Sequence, residues 1–319
     1  MSIVAAGTII SNFLPVDPSD TEETTTSRLS PHCTSGISKQ GSTNIYLPTF
    51  TVQSTLWVSM YMWVGGTGGG DMIVFRKDGN NIARVLSVSS SFDVILQIYN
   101  GATWDTVAST HFFSVGVLTR LDAKLVIHDT TGEFVLYANG VQVLSYTSGD
   151  TLRNGQSDCN QVGVGKFGSC SVSGVFVSTA DSRNIDMQQL IPTSVGNYTA
   201  WTGTYTDVDD TGVPDGLFIE SGTADQLETY GKTSLDTAFN SGYNLIALGV
   251  SARALRGTGG PQNLQMVVRS GTTDGVSSTQ SLEVTYEPRF AEFANDPDTA
   301  SAWGFSAMDS AEIGVKSIT

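Results

Sequence analysis

LVIHDTTGEFVLYANGVQVLSY, residues 125–146, is the stretch whose reading decides the fold. It holds three apolar-alternating runs separated by two turns, Asp129-Thr130-Thr131-Gly132 and Asn139-Gly140. Val135, Tyr137, Val141 and Val143 are the β-branched and aromatic types that suit a pleated, half-buried surface. Asn-Gly is the strongest short-range hairpin signal, because a type I′ turn needs positive φ at both central positions. Two successive hairpins make a meander, so the stretch predicts an antiparallel sheet and carries no catalytic signal of its own.

The rest of the chain has the matching composition. Of 319 residues only 15% are charged and 34 are glycine. That balance suits many short strands joined by tight turns. The net charge of −15 repels phosphate backbones and anionic lipid, which argues against nucleic acid and membrane surfaces as partners. The acidity reads as a solubility device or as provision for cations. No apolar run reaches the roughly 18 residues of a membrane-spanning helix. The opening MSIVAAGTIISNFLPVDPSD lacks a basic start and a long apolar centre, so the expectation is no secretion signal and folding in a cytoplasm. Three cysteines, an odd number without metal-site spacing, are expected as thiols, with a Cys159–Cys170 bridge as the alternative.

Residues 1–45 are polar and irregular; the run Asp17–Ser30 reads either as an arm that orders against a neighbouring subunit or as a surface loop. Alternation begins at Thr49. In TFTVQSTLWVSMYMWV (49–64), Trp57, Met60, Met62 and Val64 are candidate core residues. The Gly65–Gly70 cluster lacks the Lys-Ser/Thr of a phosphate loop and reads as a turn. Strand-length runs follow at 71–79, 82–89, 92–101, 104–110 and 111–117, then the meander, then 161–168 and 171–180. Pro192 and the polar, aromatic run Thr193–Asp210 mark a boundary near residue 190. Beyond it, 233–239, 243–255, 264–271, 279–287 and 311–318 read as strands, with NLIALGVSARA expected at a sheet centre. AEFANDPDTASAW (291–303) is expected to hold a helical turn. The fold class is therefore all-β: an irregular segment 1–45, a sandwich over 46–190 and a smaller β-sandwich over 191–319.

Two segments resemble known proteins. Residues 45–185 resemble the laminin G-like or concanavalin A-like jelly roll. The resemblance rests on Arg120-Leu-Asp-Ala-Lys124, Phe134-Val-Leu-Tyr-Ala-Asn-Gly-Val141, Val162-Gly-Val-Gly165 and Val175-Phe-Val-Ser-Thr179. Residues 195–319 resemble a segment of structural proteins of tailed bacteriophages and gene-transfer-agent particles. The matching pieces are Tyr198-Thr-Ala-Trp-Thr-Gly-Thr-Tyr205, Val208-Asp-Asp210, Ile246-Ala-Leu-Gly-Val250 with Ala252-Arg253, and Asp296-Pro297, Ala302-Trp-Gly304 and Glu312-Ile-Gly-Val315. The resemblance implies a virion protein assembled in the host cytoplasm and displayed on the particle exterior as tail fibre or tail tip. It would be homotrimeric, bound to other virion proteins and in contact with host surface glycan. A capsid decoration or head-fibre protein is the alternative; a polysaccharide depolymerase and a free cellular lectin are further rivals.

The chemistry of the chain narrows these. Glucanases on this scaffold divide nucleophile and acid roles between two glutamates in a Glu-x-Asp-x-x-Glu strand. No such triplet occurs; Glu133 stands alone, and Glu283 and Glu287 lie in the other half. His32, His111 and His128 sit in no hydrolase motif, and His32-Cys33 are chain neighbours that extended backbone turns apart. The expectation is no enzyme. For glycan, which needs an aromatic face beside amide and carboxylate groups, the candidate patch is Tyr99, Asn100, Trp104 and Asp105; the competing reading puts its aromatics in the core. For calcium, which takes several carboxylate and carbonyl oxygens, the candidate is Asp207, Asp209, Asp210 and Asp215, or else a solvated turn. Asn295, Asp296 and Asp298 read as an ordinary turn. Trp201, Tyr198 and Tyr205 are expected to pack the halves together or against another subunit.

Overall fold

The computed structural model describes the chain except residues 8–11, 15–18, 41–42, 67, 89–90, 92, 113, 166–168, 212–214 and 241–242. Parts of the predicted arm, the glycine cluster, the runs at 82–89, 92–101, 111–117 and 161–168, and the acidic loop fall outside the described residues. The chain divides into two compact units, Met1–Met187 and Gln188–Thr319.

The first unit has fourteen strands: β1 (Ile3–Gly7), β2 (Thr21–Glu23), β3 (Gly36–Lys39), β4 (Ile45–Tyr46), β5 (Thr55–Val64), β6 (Gly70–Lys77), β7 (Asn80–Ser87), β8 (Asp93–Tyr99), β9 (Trp104–His111), β10 (Leu118–Val126), β11 (Gly132–Ala138), β12 (Val141–Gly149), β13 (Gln161–Val164) and β14 (Cys170–Ser178). They form an eight-stranded sheet, β12-β11-β10-β5-β14-β3-β2 with β1 also on β14, and a six-stranded sheet, β4-β13-β6-β7-β8-β9. The two antiparallel sheets form a β-sandwich. The opening stretch supplies β11 and β12 and the end of β10, and its Asn139-Gly140 turn has φ of 48° and 79°. Both are the positive values a type I′ turn demands. Asp78 and Gly79, at 48° and 80°, make the same turn between β6 and β7.

One core lies between the sheets. Leu56, Val58, Met60, Met62 and Val64 point inward from β5, Leu121, Ala123 and Leu125 from β10, Phe134 and Leu136 from β11. Ile73 and Phe75, Ile82 and Val85, and Val94, Leu96 and Ile98 meet them from the other sheet. Phe75 and Phe134 close the gap edge to face, centroids 5.7 Å apart. Trp57 does not belong to this core. A period of two puts it on the opposite face from Met60 and Met62, where it is buried by other means described below.

The described residues of 1–45 are not a free arm. β1 pairs with β14 from Ile3 to Gly7, and β2 and β3 extend the same sheet. Phe13, Leu29 and Ile37 are buried. Short strands such as these gain their stability from the pre-existing edge of β14, which no local pattern announces. Of the run 111–117, His111 ends β9 and Val115-Gly116 make a turn: Val115 and Val117 are exposed, and Gly116 has φ of 80°.

The second unit comprises β15 (Pro192–Thr199), β16 (Leu227–Lys232), β17 (Leu248–Ala254), β18 (Asn263–Ser270), β19 (Thr273–Val276), β20 (Gln280–Ser281), β21 (Glu287–Phe293), β22 (Asn295–Asp296), β23 (Ser301–Ala302), α1 (Phe305–Ser310) and β24 (Glu312–Ile318). Its main sheet runs β15-β16-β24-β18-β19, with β20 beside β18, and a β17–β21 ribbon supplies the second layer. Val250, Leu248 and Ala291 of the ribbon share a core with Leu264, Met266, Val268 and Val315 of the sheet. NLIALGVSARA is thus not a central strand; among the described residues β17 pairs with β21 alone, and β24 holds the centre of the main sheet. Alternation reports one buried face and says nothing of how many neighbours a strand has. In the run 279–287 Gln280–Ser281 pairs with β18 and Glu287 opens β21, while Val284 and Tyr286 between them are exposed. The segment 291–303 forms the β22–β23 hairpin, and the helix follows it.

Candidate functional site

The outer face of the six-stranded sheet gathers aromatic and polar side chains from five strands. Tyr46 lies flat on β13 at Gly163, where a Cβ would overlap its ring. The Arg76 guanidinium sits 4.4 Å from the centre of that ring, over its face, and its Nε donates to Asn81 at 3.0 Å. Burial pushes the Tyr46 hydroxyl above its ordinary pKa, with Arg76 opposing. Next on the sheet, Arg84 Nη1 donates to Asp71 at 2.8 Å and its Nε to Gln97 at 2.8 Å. Its guanidinium stacks 4.1 Å over Trp104, as cation–π geometry favours. Asn44 donates to the second Asp71 oxygen at 2.8 Å, and Gln97 to Thr106 at 3.0 Å. Tyr99 stands against Trp104, centroids 5.2 Å apart. Among the described residues, Arg84 Nη2 and both terminal nitrogens of Arg76 have no acceptor.

The structure therefore brings together two of the four residues of the predicted patch. Tyr99 and Trp104 share the outer face and do not fill the core. Asn100 instead builds its own loop, accepting from Ala102 and Thr103 at 3.0 and 2.8 Å and donating to Thr103 and Asp105. Asp105 pairs with inward-facing Ile98 on β8, and its carboxylate is held by Arg153 at 3.0 Å. Adjacent residues on a strand face opposite ways, so Trp104 and Asp105 cannot line one surface. Arg84, Gln97, Asp71 and Arg76 were missed because register, not chain distance, gathers them on this face, Arg84 at Trp104 and Arg76 at Tyr46. The readable signal was alternation in β7 and β8, which puts Arg84 and Gln97 on the polar face.

The outer face of the eight-stranded sheet carries a similar set of groups but is covered. The segment Thr179–Met187 crosses it. Arg120 Nη1 donates to Asp186 at 2.7 Å, and Nη2 to the carbonyls of Ser182 and Ile185 at 2.6 and 2.7 Å. Its Nε donates to Asp122, which is fully buried and also accepts from Ser59. Tyr61 donates to Asp186 at 3.1 Å. Trp57 stacks on Tyr137 at 5.7 Å, and Arg183 covers both rings, 4.4 Å from the Tyr137 centroid. Further along this face, burial raises the Glu23 carboxyl, but bonds from Ser171, Thr25 and Arg28 outweigh it and hold the pKa at about 2.

The four aspartates of the acidic loop do not converge on one point. Asp207 accepts from the Thr204 amide at 2.8 Å, Asp210 from that of Asp215 at 3.3 Å, and Asp215 from that of Leu217 at 2.7 Å. These are turn and cap bonds. No cluster of three or more metal-ligating side chains exists among the described residues. Asp296 likewise accepts from Asp298 and Thr299 within its hairpin. His128 Nδ1 accepts from the amides of Thr130 and Thr131, each at 3.1 Å, and so shapes the first turn of the meander. The three cysteines are buried thiols, and burial pushes Cys159 up to about 12, where the reactive thiolate is suppressed. Trp201 packs on the second unit's own core and Tyr198 donates to Asp274 at 2.7 Å, so both serve that unit internally.

No protein-family model matches the chain, and no curated protein matches it. Solved structures do resemble it. Alginate lyase Aly36B aligns at 12% identity and a TM-score of 0.36, covering 59% of this chain and 95% of that one. Galectin LEC-6 of Caenorhabditis elegans aligns at 11% and 0.33, covering 44% and 94%. The carbohydrate-binding module CBM66 of Bacillus subtilis aligns at 12% and 0.33, covering 45% and 86%. At these values the likenesses assign neither ligand nor reaction to this chain.

Proposed function

We propose that this is a non-enzymatic structural protein of the exterior of a tailed-phage particle, and that it meets a surface glycan through the outer face of its six-stranded sheet. The observation that carries the glycan part is the Arg84–Trp104–Gln97–Asp71 cluster. It sets a guanidinium on an aromatic ring among amide and carboxylate groups, all fixed on rigid strands, and such preorganised donors and acceptors are what orients a bound sugar. The virion part is supported by the resemblance of residues 195–319 to phage structural proteins. Weak contacts of this kind gain strength by repetition on an oligomeric particle. A homotrimer on the tail is the assembly proposed.

Two measurements test it. Imaging of phage particles with antibody raised against the chain is expected to decorate the tail; decoration of the capsid shell would replace the tail role with capsid stabilisation. A glycan array probed with the full chain is expected to give saturable binders, lost in Trp104→Ala. An array without binders would remove the glycan role.

A further inference from the structure

We infer that the glycan recognised by this face is anionic, its carboxylate or sulfate groups held between Arg76 and Arg84. The inference rests on the glycan reading above and names its ligand class. Arg84 and Arg76 stand on neighbouring strands: Val74 is the register partner of Arg84, and Arg76 lies two residues further along β6. Their backbones are near neighbours, but the guanidinium groups lean apart, Arg76 toward Tyr46 on β4 and Arg84 toward Trp104 on β9, so they would take successive charged groups of one anionic chain rather than one sugar ring.

Each guanidinium is held flat on a ring, Arg76 on Tyr46 and Arg84 on Trp104. Each is also fixed through Nε, to Asn81 and Gln97 respectively. That leaves both terminal nitrogens of Arg76 and Nη2 of Arg84 without an acceptor among the described residues. A guanidinium so oriented presents the planar fork that matches a carboxylate or sulfate. The aromatic faces that would stack a neutral sugar are already covered by the arginines. The carboxylates nearby are engaged. Asp71 is bound by Arg84 and Asn44, Asp158 by Lys77, and Asp93, at the far end of β8, by Ser91 and His111. On a chain of net charge −15, two cations whose donors lack acceptors among the described residues mark an anion site rather than a general basic surface.

The test uses the full chain with a matched pair of polymers, dextran sulfate and unmodified dextran, together with polygalacturonate. Wild type is expected to bind the sulfated and carboxylated polymers, more weakly as salt rises, and to ignore dextran. Arg76→Gln and Arg84→Gln are each expected to raise Kd about ten- to a hundredfold, as loss of charge-assisted bonds does. Arg84→Lys, which keeps the charge and removes the fork, is expected to fall between. Lys316→Gln, the same charge change on the second unit, is the control and is expected to leave Kd unchanged. Equal losses in the control, or binding of neutral glycans alone on the array, would overturn the inference and leave the glycan reading standing. No binding to acidic or neutral glycans would overturn both.

Discussion

The two outward faces of the N-terminal sandwich use the same groups to opposite ends. On the eight-stranded sheet, Arg120 and Arg183 lie on or beside tyrosines and a tryptophan, and a strap of the chain's own residues takes up their donors. On the six-stranded sheet, Arg76 and Arg84 lie on Tyr46 and Trp104, and both terminal nitrogens of Arg76 and Nη2 of Arg84 have no acceptor among the described residues. An arginine on an aromatic ring is therefore not in itself a sign of a site. What separates framework from site is whether the polypeptide supplies the acceptors.

That contrast can be broken in order of effect. Asp122→Ala on the closed face removes the partner of a buried guanidinium and should destabilise the first unit by about 3–5 kcal/mol, read from denaturant melts. A melt unchanged to within about 1 kcal/mol would show that the strap does not depend on this cluster. Glu23 gives the next effect. Its folded pKa of about 2 lies below the ordinary 4.5, so its contribution is complete above 4.5 and is lost as pH falls from there through 2. The shift corresponds to roughly 3 kcal/mol. Glu23→Gln should flatten the acid limb of stability over that window, and an unaltered limb would count against the bonds from Ser171, Thr25 and Arg28. Gly140→Ala puts a Cβ at φ of 79° in the meander turn and should cost about 1–2 kcal/mol, which thermal melts would detect. Smallest of all, Arg76→Gln on the open face should leave stability within about 0.5 kcal/mol while weakening binding. A large loss of stability there would mean that this face, too, is framework.

The sequence disclosed these regions unevenly, for physical reasons. The meander, its I′ turn at Asn139-Gly140 and most strands of the first sandwich were legible, because period-two alternation and positive-φ residues are local properties. The strands β1 to β3 were not, since short segments acquire their conformation from the edge of β14. β17 alternates as a central strand does, yet sits in a ribbon. Within the site, Tyr99 and Trp104 were visible as a hairpin pair. Their arginine partners were not, because Arg84 reaches Trp104 across two strands. Asp105 looked like a member through adjacency alone, and strand geometry turns it to the other side.

Arginine labelling with phenylglyoxal, read residue by residue by mass spectrometry with and without dextran sulfate, tests the contrast most directly. Arg76 and Arg84 should be modified in the free protein and protected by the polymer, while Arg120, its side chain only 10% exposed and its donors all engaged, stays unmodified in both. Arg120 reacting as fast as Arg76, or Arg76 and Arg84 indifferent to the polymer, would contradict the division into a closed face and a binding face.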